Sequence, residues 1–208
     1  MPLQSSLSPR PNRRSILRAA ALFAAAVPLA ACSAVEDPLA AQARAGNNKN
    51  YIAGDGSVEE YAAESRGEAV QVTGTTYDGD AVDSAAWAGQ VTVLNFWYAA
   101  CAPCRVEAPH MAELSKEFAD QGVEFIGVNV RDEEPTASAF ERTFGIEYPS
   151  MPDRDGAILL AMTEFVPPQA VPTTLVIDKR GRVAARILGV AEKNTLKTLI
   201  ADRVAETS

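Results

Sequence analysis

The stretch that decides the fold is residues 91–105, which read VTVLNFWYAACAPCR. Its first seven residues, Val91–Trp97, are apolar at nearly every position, a pattern typical of a strand covered on both faces in an α/β sheet. A buried helix is the alternative. Cys101 and Cys104 follow, and residues 105–121 then carry the spacing of an amphipathic helix. The two cysteines are therefore predicted to lie where a core strand gives way to a helix.

This placement gives the two cysteines different roles. A helix N-terminus offers free N–H groups and a partial positive charge, and both stabilise a thiolate. Cys101 lies at that end and is the predicted nucleophile. Cys104, one turn further on, is the predicted resolving cysteine, because it can attack a mixed disulfide formed at Cys101.

A static structural disulfide and half of a zinc site are the other interpretations of this pair. Zinc needs two further ligands. Outside the motif the chain offers only Cys32 and His110 as soft donors, and His110 is the single histidine. We therefore predict no metal site. Because His110 is six residues past Cys104, we place it on another face of the helix, as a solvated surface histidine.

The flanking sequence alternates between strand and helix patterns without an internal repeat. This order predicts an α/β fold with a central sheet flanked by helices. Two small strands around a turn at residues 77–80 precede the core strand. The later predicted elements are a strand at 123–130, a helix at 137–144, a hairpin at 174–188 and a helix at 194–204. The acidic run 132–134 is interpreted as a solvated loop or helix start.

Composition narrows the class of protein. The 208 residues are 47% hydrophobic and 22% charged, which suits one globular domain, and we place it at residues 68–208. A net charge of -8 argues against a nucleic-acid partner, which would need clustered Lys and Arg. Three cysteines are too few for a disulfide-rich scaffold. No cofactor is predicted.

Residues 1–31 are predicted to be a signal peptide. Their four charges are all positive and precede an apolar run at 19–31. Thirteen residues in a helix span about 20 Å, less than the roughly 30 Å of a bilayer core, so a transmembrane helix is the weaker interpretation. Residues 12–18, NRRSILR, are similar to a twin-arginine export signal, although ordinary export remains an alternative.

Cys32 is the predicted lipidation site. The sequence Leu-Ala-Ala-Cys at 29–32 resembles a bacterial lipobox, whose cysteine is diacylated and becomes residue one of the mature protein after cleavage. Lipidation would remove the odd thiol and leave an even cysteine pair. The alternative is an ordinary cleavage site nearby with Cys32 as a free thiol. Residues 32–67 lack a sustained apolar period and are predicted to be a flexible tether.

Taken together, these features resemble the thioredoxin superfamily, and within it the TlpA/ResA-like extracytoplasmic thiol-disulfide oxidoreductases. The resemblance covers roughly residues 69–204. It rests on the Val91–Trp97 strand with its final Phe-Trp, on Cys101-Ala102-Pro103-Cys104, on Pro109 and on Val171-Pro172-Thr173-Thr174. It implies a thioredoxin-like fold with a mixed sheet and an N-terminal β-hairpin extension.

The resemblance also implies roles for further residues. Pro172 corresponds to a cis proline beside the active-site disulfide, Val171 supplies backbone groups to an extended substrate, and Trp97 forms part of the wall. Asn95 stands where cytoplasmic thioredoxins bury an aspartate. Glu107 matches a glutamate near the cysteines and is the predicted proton partner, the alternative being an ordinary first-turn helix acid.

The function implied by the resemblance is reduction of protein disulfides outside the cytoplasmic membrane. Apocytochrome c is the suggested substrate, a membrane thiol-reducing protein the suggested electron donor, and a lipid-anchored monomer the expected state. A disulfide donor for secreted proteins is the alternative, because direction depends on the reduction potential. A peroxiredoxin would need a threonine where Tyr98 stands, and a copper chaperone would need a distal histidine absent from 155–177.

Overall fold

The computed structural model describes residues 54–207 of the chain. The predicted signal peptide and Cys32 lie outside the described residues. The strands are β1 (Ser57–Glu60), β2 (Thr73–Thr75), β3 (Ala81–Asp83), β4 (Val91–Trp97), β5 (Val123–Asn129), β6 (Ser150–Pro152), β7 (Thr173–Ile177) and β8 (Val183–Leu188). The α-helices are α1 (Ala102–Phe118), α2 (Glu134–Phe144), α3 (Ala157–Ala161) and α4 (Lys193–Ala205). Short 3-10 helices span Ser84–Trp87 and Ala119–Gln121.

Six strands form one mixed sheet in the order β1-β8-β7-β4-β5-β6. The central strand β4 pairs in parallel with β5 and antiparallel with β7. All seven residues of β4 are buried, as the apolar run predicted. The α/β fold with a mixed sheet is therefore confirmed, and β2 with β3 forms the expected separate N-terminal hairpin.

Alternate residues of β4 face two different core clusters, because side chains in a strand alternate between its faces. Val91 and Val93 pack with α1 and α4 residues, whereas Leu94 and Phe96 pack on the opposite face with residues that include Trp87 and Met151. Position 95 therefore shares the face of Val91 and Val93. This alternation directs a polar side chain toward α1, the helix that carries both cysteines.

The prediction of a flexible tether is wrong for residues 54–67, which belong to the folded domain. Within that range β1 pairs antiparallel with β8 from Ser57↔Leu188 to Glu60↔Ala185. All four side chains of β1 are exposed, so the strand is held by backbone pairing and leaves no apolar pattern in the sequence. The domain therefore includes at least residues 54–67, and the rest of the predicted tether lies outside the described residues.

A buried ion cluster fixes this N-terminal segment to the sheet. The Arg66 guanidinium lies 2.9 Å from an Asp178 carboxylate oxygen and 2.7 Å from one of Glu206. The Arg66 and Asp178 side chains are only 2% and 4% exposed. Each buried charge therefore has a partner, which burial of an ionised group requires. Residue 66 belongs to the folded domain and not to a tether.

Candidate active site

Cys101 and Cys104 form a disulfide, with their Cα atoms 5.3 Å apart. Cys101 is the N-cap of α1, in extended backbone conformation, and its Sγ accepts the Cys104 N–H at 3.2 Å. Both residues are buried, and their chain neighbours Ala100 and Ala102 are exposed. The sulfur of Cys101 thus occupies the place where a capping oxygen satisfies a free N–H in other helices. The same N–H can donate to a thiolate once the disulfide is reduced.

The loop before β7 lies against this disulfide. The Val171–Pro172 peptide bond is cis, the isomer that the resemblance implied. The Val171 carbonyl oxygen lies 3.8 Å from Cys101 Sγ, and Val171 is buried. Thr173 Oγ1 donates to the Ala170 carbonyl at 2.6 Å, a hydrogen bond that spans the cis-proline loop. Strand β7 thereby places a backbone segment beside the predicted nucleophile.

Glu107 is buried on the sheet side of α1, with 1% of its surface exposed. One carboxyl oxygen accepts Asn95 Nδ2 at 2.8 Å and the other accepts the Ala191 N–H at 2.8 Å. Burial raises the pKa of Glu107 to about 8, even though both hydrogen bonds favour the charged form. The alternative interpretation, an ordinary acid in the first turn of the helix, does not fit a side chain that is this deeply buried. Glu107 therefore holds its proton at neutral pH. Its pKa is close to the ordinary thiol pKa of about 8.5.

Asn95 links this carboxyl to the sheet. Its Nδ2 donates to Glu107 and also to Thr174 Oγ1 at 3.1 Å, on the neighbouring strand β7. Asn95 and Thr174 are both buried. The sequence showed that the usual aspartate is missing at position 95, and the structure shows that an amide there is a donor to a buried acid. Two carboxyl groups in this contact would not both ionise.

Trp97 packs in one buried cluster with Cys101, Cys104 and Val171, and its own surface is only 2% exposed. Its ring stacks on Phe140 of α2 with centroids 4.5 Å apart, and Phe140 in turn contacts Phe144. The indole lies so close to Gly127 of β5 that a Cβ there would come within 2.7 Å of the indole Nε1. A glycine at position 127 is therefore needed, because any side chain there would collide with the Trp97 ring. The sequence pattern of a strand does not reveal this requirement.

Two polar residues, His110 and Asp132, are less exposed than the sequence predicted, and the prediction for His110 is wrong. His110 was expected on the solvated surface, but it is half-buried, and its Nδ1 lies 3.2 Å from the Ala191 carbonyl oxygen. Glu107 and His110 thus contact the N–H and the carbonyl of the same residue, Ala191. The acidic run 132–134 is an exposed helix start at Glu133 and Glu134, as predicted. Asp132 departs from this pattern, because it is half-buried and its carboxylate accepts the Ala99 N–H at 2.6 Å, two residues before Cys101. Its position just after a buried parallel strand was the available signal, since such strand ends border ligand sites in α/β sheets.

Residues 54–207 contain no group of three or more His, Cys, Asp or Glu side chains arranged to hold a metal ion. Over the same range no helix is both long and apolar enough to cross a bilayer. The site described here is thus a cysteine pair, a buried carboxyl group and a cis-proline loop. These side chains supply nucleophilic sulfur and a titratable proton.

Three features define a thioredoxin-like protein: the mixed sheet, the disulfide at the start of α1 and the cis-proline loop beside it. The Redoxin family matches residues 62–202, about two thirds of the chain. The chain belongs to the Redoxin family, in the TlpA/ResA-like branch of the thioredoxin superfamily.

Individual relatives agree with this assignment. The thiol-disulfide oxidoreductase ResA of Geobacillus thermodenitrificans is 38% identical over 109 residues, which are 52% of this chain and 60% of that protein. The chain thus spans less than two thirds of that relative's length. ResA of Bacillus thuringiensis subsp. konkukian is 31% identical over 130 residues, covering 62% of this chain and 73% of that protein. A secreted thiol-disulfide isomerase from Corynebacterium glutamicum superimposes with a TM-score of 0.65 at 29% identity, covering 75% of this chain and 97% of the other.

Proposed function

We propose that this protein catalyses thiol-disulfide exchange with protein substrates through Cys101 and Cys104. The observation that carries the proposal is the disulfide at the N-terminus of α1, with Cys101 Sγ accepting the Cys104 N–H beside the Val171 carbonyl. Relatives named as thiol-disulfide oxidoreductases support it. In this arrangement the helix end favours the thiolate at Cys101 and not at Cys104.

In the reducing direction, the Cys101 thiolate attacks one sulfur of a substrate disulfide. A bond forms between Cys101 and that sulfur, and the other substrate sulfur leaves as a thiolate. The Cys104 thiol then loses its proton and attacks Cys101 Sγ, which releases the second substrate sulfur. Two electrons pass to the substrate, and the Cys101–Cys104 disulfide forms again.

Glu107 is proposed as the group that exchanges the proton of Cys104. It follows Cys104 by three residues, so both lie on one side of α1. With a pKa of about 8 the carboxyl group can take a proton from a thiol and return it without a large free-energy penalty. Asn95 and Ala191 hold both of its oxygens.

Val171, Pro172 and Trp97 are proposed to bind the substrate. The cis bond puts the Val171 backbone beside the sulfur, where an extended substrate segment can form main-chain hydrogen bonds. Main-chain pairing of this kind is sequence-tolerant, which suits an enzyme with several protein substrates. Trp97, stacked on Phe140, offers an apolar wall next to that segment.

We further propose that the protein works as a reductase outside the cytoplasmic membrane, anchored through a lipid on Cys32. The basic and apolar character of residues 1–31 and the lipobox-like sequence at 29–32 support this location. Apocytochrome c is the proposed substrate class and a membrane thiol-reducing protein the proposed donor. We expect the parent protein, but not Cys32→Ser, to incorporate labelled fatty acid in cells. Lack of incorporation into the parent protein would contradict the lipid anchor.

The reduction potential of the Cys101–Cys104 pair tests the direction of exchange. The purified protein is equilibrated in redox buffers and its thiols are labelled and counted by gel shift. We expect a value near or below the roughly -270 mV of thioredoxin, as a reductase requires. A value near the roughly -120 mV of DsbA would make the protein a disulfide donor. Absence of a reversible two-electron transition would refute thiol-disulfide exchange itself.

A further inference from the structure

Three residues, 98–100, connect β4 to Cys101, and they belong to neither a strand nor a helix. Their conformation decides where Cys101 enters α1. The central residue, Ala99, donates its N–H to Asp132 Oδ2 at 2.6 Å. On the other side the Ala99 carbonyl lies 3.4 Å from Arg105 Nη1, a weaker contact. The Arg131 guanidinium also lies over the Tyr98 ring, 3.9 Å from its centroid. Asp132, from the segment after β5, is thus the acceptor for the central N–H of this connection.

The Asp132 carboxylate is itself held in place. Asn129, the last residue of β5, donates its Nδ2 to Asp132 Oδ2 at 3.0 Å. The Asn129 side-chain oxygen accepts the Asp132 N–H at 2.7 Å and the Arg131 N–H at 3.0 Å. Asn129 is fully buried. The carboxylate is therefore oriented before any substrate arrives, because turning it away would break its hydrogen bonds to Asn129 Nδ2 and to the Ala99 N–H.

The N-terminal hairpin adds a further hold on the same residue. Tyr77, in the turn between β2 and β3, donates its hydroxyl to the Asp132 carbonyl oxygen at 2.9 Å. The ends of the neighbouring strands are joined as well, since the Val130 N–H donates to the Trp97 carbonyl at 3.1 Å. Asp132 thus connects the hairpin and β5 to residues 98–100, the segment that precedes Cys101.

We propose that Asp132 is a positioning residue for disulfide exchange, acting on Cys101 through the Ala99 N–H. The proposal deepens the proposed function and rests on it. The observed backbone placement brings Cys101 Sγ to the Cys104 N–H at 3.2 Å and to the Val171 carbonyl at 3.8 Å. A shift of about 1 Å at a reacting group can cost about 100-fold in rate, so a tie two residues before the nucleophile matters for its reactivity.

Two substitutions test the role. Asp132→Ala removes the acceptor, and we expect the rate of Cys101 alkylation in the reduced protein at pH 7 to fall about tenfold, within the range that a small displacement causes. Asp132→Asn keeps an acceptor oxygen in a weaker neutral hydrogen bond, and we expect a loss of about threefold. Both variants remove the same carboxylate charge, which by itself would lower the thiol pKa of Cys101. The alkylation profile of Asp132→Ala should therefore lie at higher pH than that of Asp132→Asn, because a displaced sulfur loses the Cys104 N–H that favours its thiolate.

The matched control is Asp83→Ala. The Asp83 carboxylate also accepts one backbone N–H, that of Ala85 at 2.9 Å, at the 3-10 helix that follows β3. Its loss should lower thermal stability without changing the alkylation profile of Cys101. That contrast separates positioning from general loosening of the fold.

Parental alkylation rates and pH profiles in Asp132→Ala would overturn the proposal. If Asp132→Ala does not fold, a parental profile in Asp132→Asn overturns it instead. Alkylation reads the sulfur directly and needs no substrate protein. Failure of the positioning role therefore differs from failure of the proposed function, in which the unsubstituted protein itself would not exchange disulfides.

Discussion

Cys101→Ala is expected to abolish reduction of insulin disulfides, because it removes the sulfur at the helix N-terminus that begins the exchange. The other cysteine within residues 54–207 is Cys104, which lies inside the first turn of α1 and so cannot take over the N-terminal position. The measurement is insulin precipitation with a chemical reductant supplied. Activity close to that of the parent protein would contradict the assignment of Cys101 as nucleophile.

Cys104→Ala serves as the counterpart to this variant. It keeps the nucleophile and its N-terminal position but removes the resolving sulfur, so mixed disulfides at Cys101 should accumulate. These adducts can be seen as added mass on a non-reducing gel and should disappear with excess reductant. Rapid turnover without trapped adducts in Cys104→Ala would show that another group resolves the intermediate.

Glu107→Gln is expected to remove a large pH dependence of stability. The pKa of Glu107 is raised in the folded protein from 4.5 to about 8, so the folded state binds a proton that the unfolded state has lost. Its contribution to stability is complete below about pH 4.5 and declines as the pH rises through 8. At about 1.4 kcal/mol per pH unit, this decline amounts to roughly 4 kcal/mol between about pH 5 and pH 8.

Chemical denaturation of both proteins at several pH values measures this effect. Between about pH 5 and pH 8 the free energy of unfolding of the parent should fall more steeply than that of Glu107→Gln, and above about pH 8, once the folded carboxyl has ionised, the two curves should become parallel. Glu113→Gln is the matched control, since Glu113 lies on the same helix but is exposed and paired with Lys193. Curves that are already parallel between about pH 5 and pH 8 would show that Glu107 ionises normally in the folded protein.

The same variant tests the proton-partner role. If Glu107 exchanges the proton of Cys104, the titration of the two thiols should change in Glu107→Gln, because an adjacent carboxylate raises thiol pKa values. Following thiolate absorbance against pH in the reduced protein provides the readout. Unchanged titration would leave Glu107 as a buried structural acid whose hydrogen bonds to Asn95 and Ala191 only hold α1 on the sheet.

Predictions from local sequence patterns agree with the structure where one segment contains the whole signal. The continuous apolar run became the central strand, and the segment after it became a helix capped by Cys101. Element boundaries shifted by a few residues, with α2 beginning at Glu134 and not at residue 137. The short elements β6 and α3 were missed, because three or five residues carry too little periodicity to predict an element.

The sequence by itself determined the order of the longer strands and helices and the placement of two cysteines at a helix N-terminus, since each is set by neighbouring residues. The tertiary structure alone decided the pairing of β1 with β8, the bonds of Glu107 to Asn95 and Ala191, and the tie between Asp132 and Ala99. The last three contacts join residues 12, 84 and 33 positions apart. Such contacts depend on strand register and on the packing of α1 against the sheet, which no local pattern encodes.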